Sequence, residues 1–378
     1  MIRRYITPRV LCLLLLIPSL SFAAPVKVVT SFSVLQDLVQ QVGGEQVELT
    51  NLVGPNGDAH VYQPSPADAQ AVAHADLLVI NGLGFEGWME RLVEAAEFKG
   101  LLLSASDGVD IIRLEDEDEH HGDEEEHHEG EAAHHDEEKH HEGETAHHDE
   151  EKHHEGEAGH HGEEKHHEGE TAHHDEEEHH EGEAEHHDDE KEHHADAHHG
   201  HHHGEFDPHA WHSVINARTY VSNILAALIK VSPENQAYFE ANAKAYLAEL
   251  TELQSSLENQ MAQVPANKRN VITSHDAFSY LARDYGFHFS APQGMSTEAE
   301  ASAADVVKII NQIREQNIQA VFVENVSNPR LIEQIARETG VVIGGELYSD
   351  ALSSADESAA TYITMMQHNI ATLVNALK

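Results

Sequence analysis

The chain has 378 residues, with 22 Lys and Arg against 69 Asp and Glu, 36 His, one cysteine and a formal net charge of −47. Such acidity argues against nucleic acid and anionic membrane surfaces as partners and for cations. With Cys12 as the only thiol, no intrachain disulfide can form, and any metal must be held through nitrogen and oxygen donors.

The first residues, MIRRYITPRVLCLLLLIPSLSFAA, combine an Arg-bearing start, an apolar run from Val10 to Leu20 and small residues at Ser21, Ala23 and Ala24. This pattern predicts a secretory signal peptide over residues 1–23, cut after Ala23 or Ala24. Cys12 lacks the small residues that precede a lipidated cysteine, so a soluble exported product is expected. The apolar run is short of the roughly 20 residues needed to span a bilayer, and no later stretch approaches that length.

Val26–Thr30 reads as a buried strand. It precedes an amphipathic helix through Val34, Leu35, Leu38 and Val39 that stops at Gly43-Gly44. Val47–Val53 is a second strand, followed by the loop GPNGDAHVYQPSP. Pro66-Ala67-Asp68 opens a helix to about His74. Asp76–Asn81 is a third strand, Phe85–Ala96 a helix and Lys99–Ser104 a fourth strand. This alternation indicates βα units and a largely parallel sheet.

Residues 115–205 break the pattern, holding 29 of the 36 histidines and 38 of the 69 acidic residues. From His127 the tract repeats with a 13-residue period, as in HHEGEAAHHDEEK and HHEGETAHHDEEK. Without apolar positions it cannot bury a core that offsets an ordering entropy of about 1–2 kcal/mol per residue, so it is expected to be disordered when metal-free. Its His pairs beside carboxylates suit loose, rearrangeable Zn²⁺ sites that weaken as pH falls through ~6.5. The alternative is a solvated polyanionic spacer.

Order resumes at Phe206-Asp207-Pro208-His209-Ala210-Trp211, followed by a helix over Val214–Ile229. A long helical stretch runs from Pro233 to about Met261, with Phe239, Leu247, Leu250, Leu253 and Leu257 at helical spacing. At ~1.5 Å per residue it spans some 40 Å, which suits a strut between two lobes. Then come strand Asn270–Thr273, helices Ala277–Tyr285 and Ser302–Glu315, strand Ala320–Val323, helix Pro329–Gly340, strand Val341–Gly345 and helix Ala355–Leu377. The expected fold is therefore α/β: two lobes with mainly parallel sheets joined by a long rigid helix. A first lobe over 24–114 is completed by 206–232 around the disordered insertion, followed by a linker helix over 233–263 and a second lobe over 264–378.

Four residues stand out by position. His60 follows the second strand, His209 lies where the chain re-enters the first lobe, His275 follows the strand Asn270–Thr273, and Asp350 lies beyond Val341–Gly345. Ligands of open α/β sheets sit outside the carboxyl ends of strands, so two residues from each lobe could meet in an interlobe cleft. Three imidazoles and a carboxylate suit tetrahedral Zn²⁺, whereas Mn²⁺ is better served by more carboxylates. Taken singly, each histidine has an alternative as a surface or hydrogen-bonded structural residue, and Asp350 as a turn or helix-cap acid.

The segments GDAHVYQPSPAD, DPHAWH, TSHDAF and GELYSDALS, in this order, resemble the ligand-bearing segments of the zinc/manganese solute-binding proteins of ABC transporters. The resemblance covers the chain outside the tract and the signal. It implies two α/β lobes joined by a rigid helix, with the metal between them on His60, His209, His275 and Asp350. Manganese members typically have Glu where this chain has His275, which points to zinc. ZnuA-type zinc proteins carry a His/acid-rich insertion where residues 115–205 lie. Asp350 as fourth ligand is closer to AztC-type proteins, with a water as the alternative.

Among other residues, Trp211 and Tyr62 are expected to wall the cleft, and Glu205 and Asp207 to tune His209, with Asp207 before Pro208 equally suited to a turn. His212 is expected at a solvated helix start, with a supporting place beside the metal ligands as the alternative, and His74 at a helix end, while His288 and His368 lack context. The expected function is periplasmic capture of Zn²⁺ and delivery to an ABC importer's membrane permease by a monomer, with the tract as auxiliary zinc collector or sensor. The alternatives are an exported zinc buffer without a transporter and a manganese-binding member of the same family. A zinc hydrolase is disfavoured, because there is no HExxH segment and four protein ligands leave no open position.

Overall fold

The computed structural model describes residues 24–114 and 205–378. The signal peptide and the tract as far as Gly204 lie outside the described residues.

In the first half, β1 (Val26–Phe32) is buried at every position but Lys27, which is why it reads as an apolar run and not as an alternation. It leads into α1 (Ser33–Gly43), whose Val34, Leu35, Leu38, Val39 and Val42 face the core. Gly44 ends this helix at φ +54°, where a Cβ would meet the Tyr238 hydroxyl at 2.4 Å. Then follow β2 (Val47–Val53), α2 (Pro66–Ala73), β3 (Leu77–Ile80), α3 (Met89–Ala95) and β4 (Leu101–Ser104). The four strands are parallel in the order β2-β1-β3-β4. After the tract, α4 (Val214–Val231) packs on α1, β3 and β4.

α5 (Gln236–Met261) carries one buried stripe, Phe239, Ala243, Tyr246, Leu250, Leu253, Leu257 and Met261. It lies against α1 and α4 of the first half and α9 (Tyr362–Leu377) of the second. The second half contains β5 (Asn270–Ile272), α6 (Ser279–Tyr285), β6 (His288–Ser290), α7 (Ala303–Gln316), β7 (Ala320–Glu324), α8 (Arg330–Thr339) and β8 (Val342–Leu347). Its parallel sheet has the order β6-β5-β7-β8, the same permutation as the first. Successive residues point to opposite faces. Val271 and Phe322 join the main core, while Ile272 and Val321 join a smaller one with Ile309, Ile313, Ile332 and Ile335.

Several boundaries differ from the sequence reading. α9 starts at Tyr362 instead of Ala355, because Thr361 caps it in a reciprocal box with Thr364. The helix expected from Phe85 starts at Met89, since Phe85 sits in a turn in which its N–H donates to the Gly82 carbonyl at 3.1 Å. β6 is an added strand, three residues long and too short to show a period.

The halves are tied by hydrogen bonds. Tyr362 N–H donates to Asp37 Oδ2 at 2.8 Å, Leu352 N–H to Ser33 Oγ at 2.8 Å, and Asn56 N–H to the Leu352 carbonyl at 2.9 Å. No helix among the described residues is long and apolar enough to cross a membrane.

Candidate metal centre

The carboxyl ends of both sheets face one buried point. His60 follows β2 in a loop fixed by two bonds: its N–H donates to Asp58 Oδ1 at 2.9 Å, and the Trp88 indole N–H donates to the Ala59 carbonyl at 2.7 Å. His209 is held through its neighbours. Asn81 Nδ2 donates to the Pro208 carbonyl at 2.9 Å, and the Tyr280 hydroxyl, from the other half, to the Asp207 carbonyl at 2.8 Å. His275 lies just past β5, where the N–H groups of Ser274 and His275 donate to Glu324 Oε1 at 2.7 and 3.0 Å. Asp350 follows Ser349, whose N–H donates to Asn325 Oδ1 at 3.3 Å and whose carbonyl accepts from the Trp211 indole at 3.0 Å.

One donor atom from each of His60, His209, His275 and Asp350 lies within 4.8 Å of the others. Asp350 is the centre: its Oδ2 is 3.4 Å from His60 Nε2 and 3.1 Å from His275 Nε2, and its Oδ1 is 3.6 Å from His209 Nε2. His209, His275 and Asp350 are 0% exposed and His60 is 6% exposed. All three Nε2 atoms and both Asp350 oxygens are nonetheless without a hydrogen-bond partner. Five converging orphan atoms are costly in a dry interior unless something satisfies them.

The electrostatics agree with this crowding. Burial pushes the Asp350 carboxyl up, but the imidazoles, His275 foremost, outweigh it and hold Asp350 well below the usual carboxylate range. Burial pushes His275 down, and the Glu324 and Asp350 carboxylates more than reverse that, holding it well above an ordinary imidazole.

The surroundings are aromatic and partly anticipated. Trp211 is buried against Phe32, Phe85 and His209, whereas Tyr62 packs on Trp88 and donates its hydroxyl to Asp68. Asp207 Oδ1 lies 2.9 Å from His209 Nδ1 and accepts the His209 N–H as well. Glu205 instead pairs with Arg113 at the surface. His212 is not solvated: it is fully buried, its ring lies 4.7 Å from that of Phe278, and burial pushes it down to about 3, with His209 adding to the shift. His74 caps α2 with Nδ1 on the Gln70 carbonyl, and His288 and His368 lie elsewhere, on β6 and α9. The sequence reading missed Glu324, whose Oε2 is 2.5 Å from His275 Nδ1. Its one signal is an acid closing the apolar strand AVFVE at the carboxyl end.

A family model described as ZnuA, zinc-uptake complex component A periplasmic, matches residues 28–376. The manganese-binding lipoprotein MntA of Halalkalibacterium halodurans is 27% identical over 351 residues, covering 93% of this chain and 88% of that protein. The zinc-binding protein TroA of Treponema pallidum is 26% identical over 355 residues, with 93% and 88% covered. The solved structure of periplasmic zinc-binding TroA from the same organism matches with a TM-score of 0.68 at 25% identity, over 94% of this chain and 99% of that one. The family match over nearly the whole length, joined to the shared two-sheet architecture, shows that this chain belongs to the ZnuA family of metal-binding solute-binding proteins of ABC transporters, which are carriers and not enzymes.

Proposed function

We propose that the protein captures Zn²⁺ between its halves on the Nε2 atoms of His60, His209 and His275 and the carboxylate of Asp350, and delivers it to an ABC importer's permease. The observation that carries this reading is the set of five buried, unpartnered polar atoms around one point. A divalent cation satisfies all of them at once. Three imidazoles with one carboxylate fit Zn²⁺ better than Mn²⁺, and the family description and the TroA relative name zinc. The manganese-binding relative MntA keeps a manganese-binding role as the second reading.

Zinc and manganese titrations of the full chain, followed by an anomalous-scattering map of the zinc-loaded crystal, test this. The proposal requires one tight zinc bound by these four side chains, and His275→Ala should abolish tight binding. Tight manganese binding with weak zinc would select the second reading.

Export through the signal peptide would place the protein in the periplasm, as the family description also has it. A growth requirement for the gene in chelated medium would separate import from an exported zinc buffer. For the tract 115–205 we propose an accessory role, collecting Zn²⁺ loosely and raising its local concentration near the cleft. Deleting the tract should leave the tight site's affinity and its stoichiometry of one unchanged.

A further inference from the structure

We propose that Glu324 is a positioning residue that dictates which nitrogen of His275 faces the cargo, and thereby sets the affinity of the site. This rests on the metal-binding reading above. Glu324 closes β7, is 2% exposed, and is not one of the four residues whose donors converge. Its two oxygens have different work. Oε1 accepts the N–H groups of Ser274 and His275, at 2.7 and 3.0 Å, so that atom must be an oxygen. Oε2 is left facing His275 Nδ1 at 2.5 Å, a charge contact without the alignment of a hydrogen bond.

With an oxygen opposite it, Nδ1 keeps the hydrogen in the neutral form of the ring, the form that ligates a metal. The lone pair is then on Nε2, which points at Asp350 Oδ2 from 3.1 Å. The carboxylate thus turns His275 into an Nε2 ligand and anchors itself on the backbone of the turn that carries the ring.

Glutamine at 324 would have almost the same shape but the opposite effect. Its carbonyl oxygen must stay with the two backbone donors, which puts its NH₂ in the place of Oε2. Two N–H groups cannot face each other, so Nδ1 would become the acceptor and the hydrogen would move to Nε2, where the ion belongs. Asp207 is built differently: a single oxygen, Oδ1, meets both the N–H and the Nδ1 of His209. An asparagine there could keep both contacts through its own oxygen, so the inversion is specific to Glu324.

The test compares full-length wild type, Glu324→Gln, Glu324→Ala and Glu324→Asp by chelator competition, at free zinc buffered low enough to leave the tract unloaded. Urea unfolding of each metal-free protein runs alongside. Glu324→Gln should lose roughly 10–100-fold in zinc affinity. Glu324→Ala, which leaves Nδ1 free to choose, should lose less, and Glu324→Asp should recover part of the loss. Stability of the metal-free proteins should rank the other way, with Gln above Ala, because Gln keeps both backbone contacts. A merely structural role predicts that affinity follows stability. That ranking, or a Gln variant within about threefold of wild type, would overturn the assignment. If wild type takes up no metal at the cleft, the metal-binding reading falls with it; if wild type binds tightly and the Gln variant equals it, only the role of Glu324 falls.

Discussion

The indole N–H of Trp211 reaches across the two halves to the carbonyl of Ser349, 3.0 Å away. It thereby couples the segment that carries His209 to the one that carries Asp350. The ring itself is fully buried, and the Trp211 carbonyl accepts the Tyr362 hydroxyl at 2.8 Å, a second bond between the same halves. Trp211→Phe deletes the donor, strands a buried carbonyl and shrinks the packing. We predict a loss of about 1–3 kcal/mol in the urea unfolding free energy of the metal-free protein. Zinc affinity should also fall, because Asp350 loses an anchor one residue away.

His275→Glu changes the donor set from three imidazoles and one carboxylate to two of each. Carboxylate oxygens suit Mn²⁺ better than Zn²⁺. Paired titrations with both ions should show the ratio of affinities moving toward manganese, and an unchanged ratio would refute the assignment of His275 as a ligand.

An ion that binds only the folded chain must stabilise it. At a free zinc concentration of about 1,000 times the dissociation constant, unfolding should cost about 4 kcal/mol more. Calorimetry of wild type and Asp350→Ala should show a large upward shift of Tm for the first and little for the second.

Asp37, which is not one of the four converging donors, supplies a pH signature of its own. Burial pushes its carboxyl above the ordinary 3.8, while the Tyr362 N–H and the Gln41 amide offset part of that rise. A raised folded pKa means that the fold favours the protonated group. Its contribution is therefore complete below pH 3.8 and is lost as pH rises through the higher folded value. Asp37→Asn keeps an acceptor for Tyr362 without the charge. Urea midpoints measured from pH 4 to pH 8 should show wild type losing ground to the variant as pH increases. A constant difference would remove Asp37 as the source.

Much of this architecture is legible in the sequence because parallel strands buried on both faces, such as VKVVT and AVFVE, announce themselves as short apolar runs. The three-residue β6 does not, since His288, Phe289 and Ser290 form a strand only by pairing with β5. The site divides in the same way. His60, His275 and Asp350 could be placed because each follows a strand, so topology alone aims them at one end of a sheet. Glu324 and the burial of His212 were hidden because they depend on which side chains from distant segments arrive beside them. Helix starts failed where a cap decided the matter, as Thr361 does for α9.

Each half contributes two of the four converging donors: His60 and His209 on one side, His275 and Asp350 on the other. Neither pair makes a cage alone, so if the four donors hold an ion as proposed, separating the halves would strip two contacts from it together. Under that reading, letting go would be an abrupt event instead of a gradual loosening, and a docking partner that parted the halves would release the ion without reaching it.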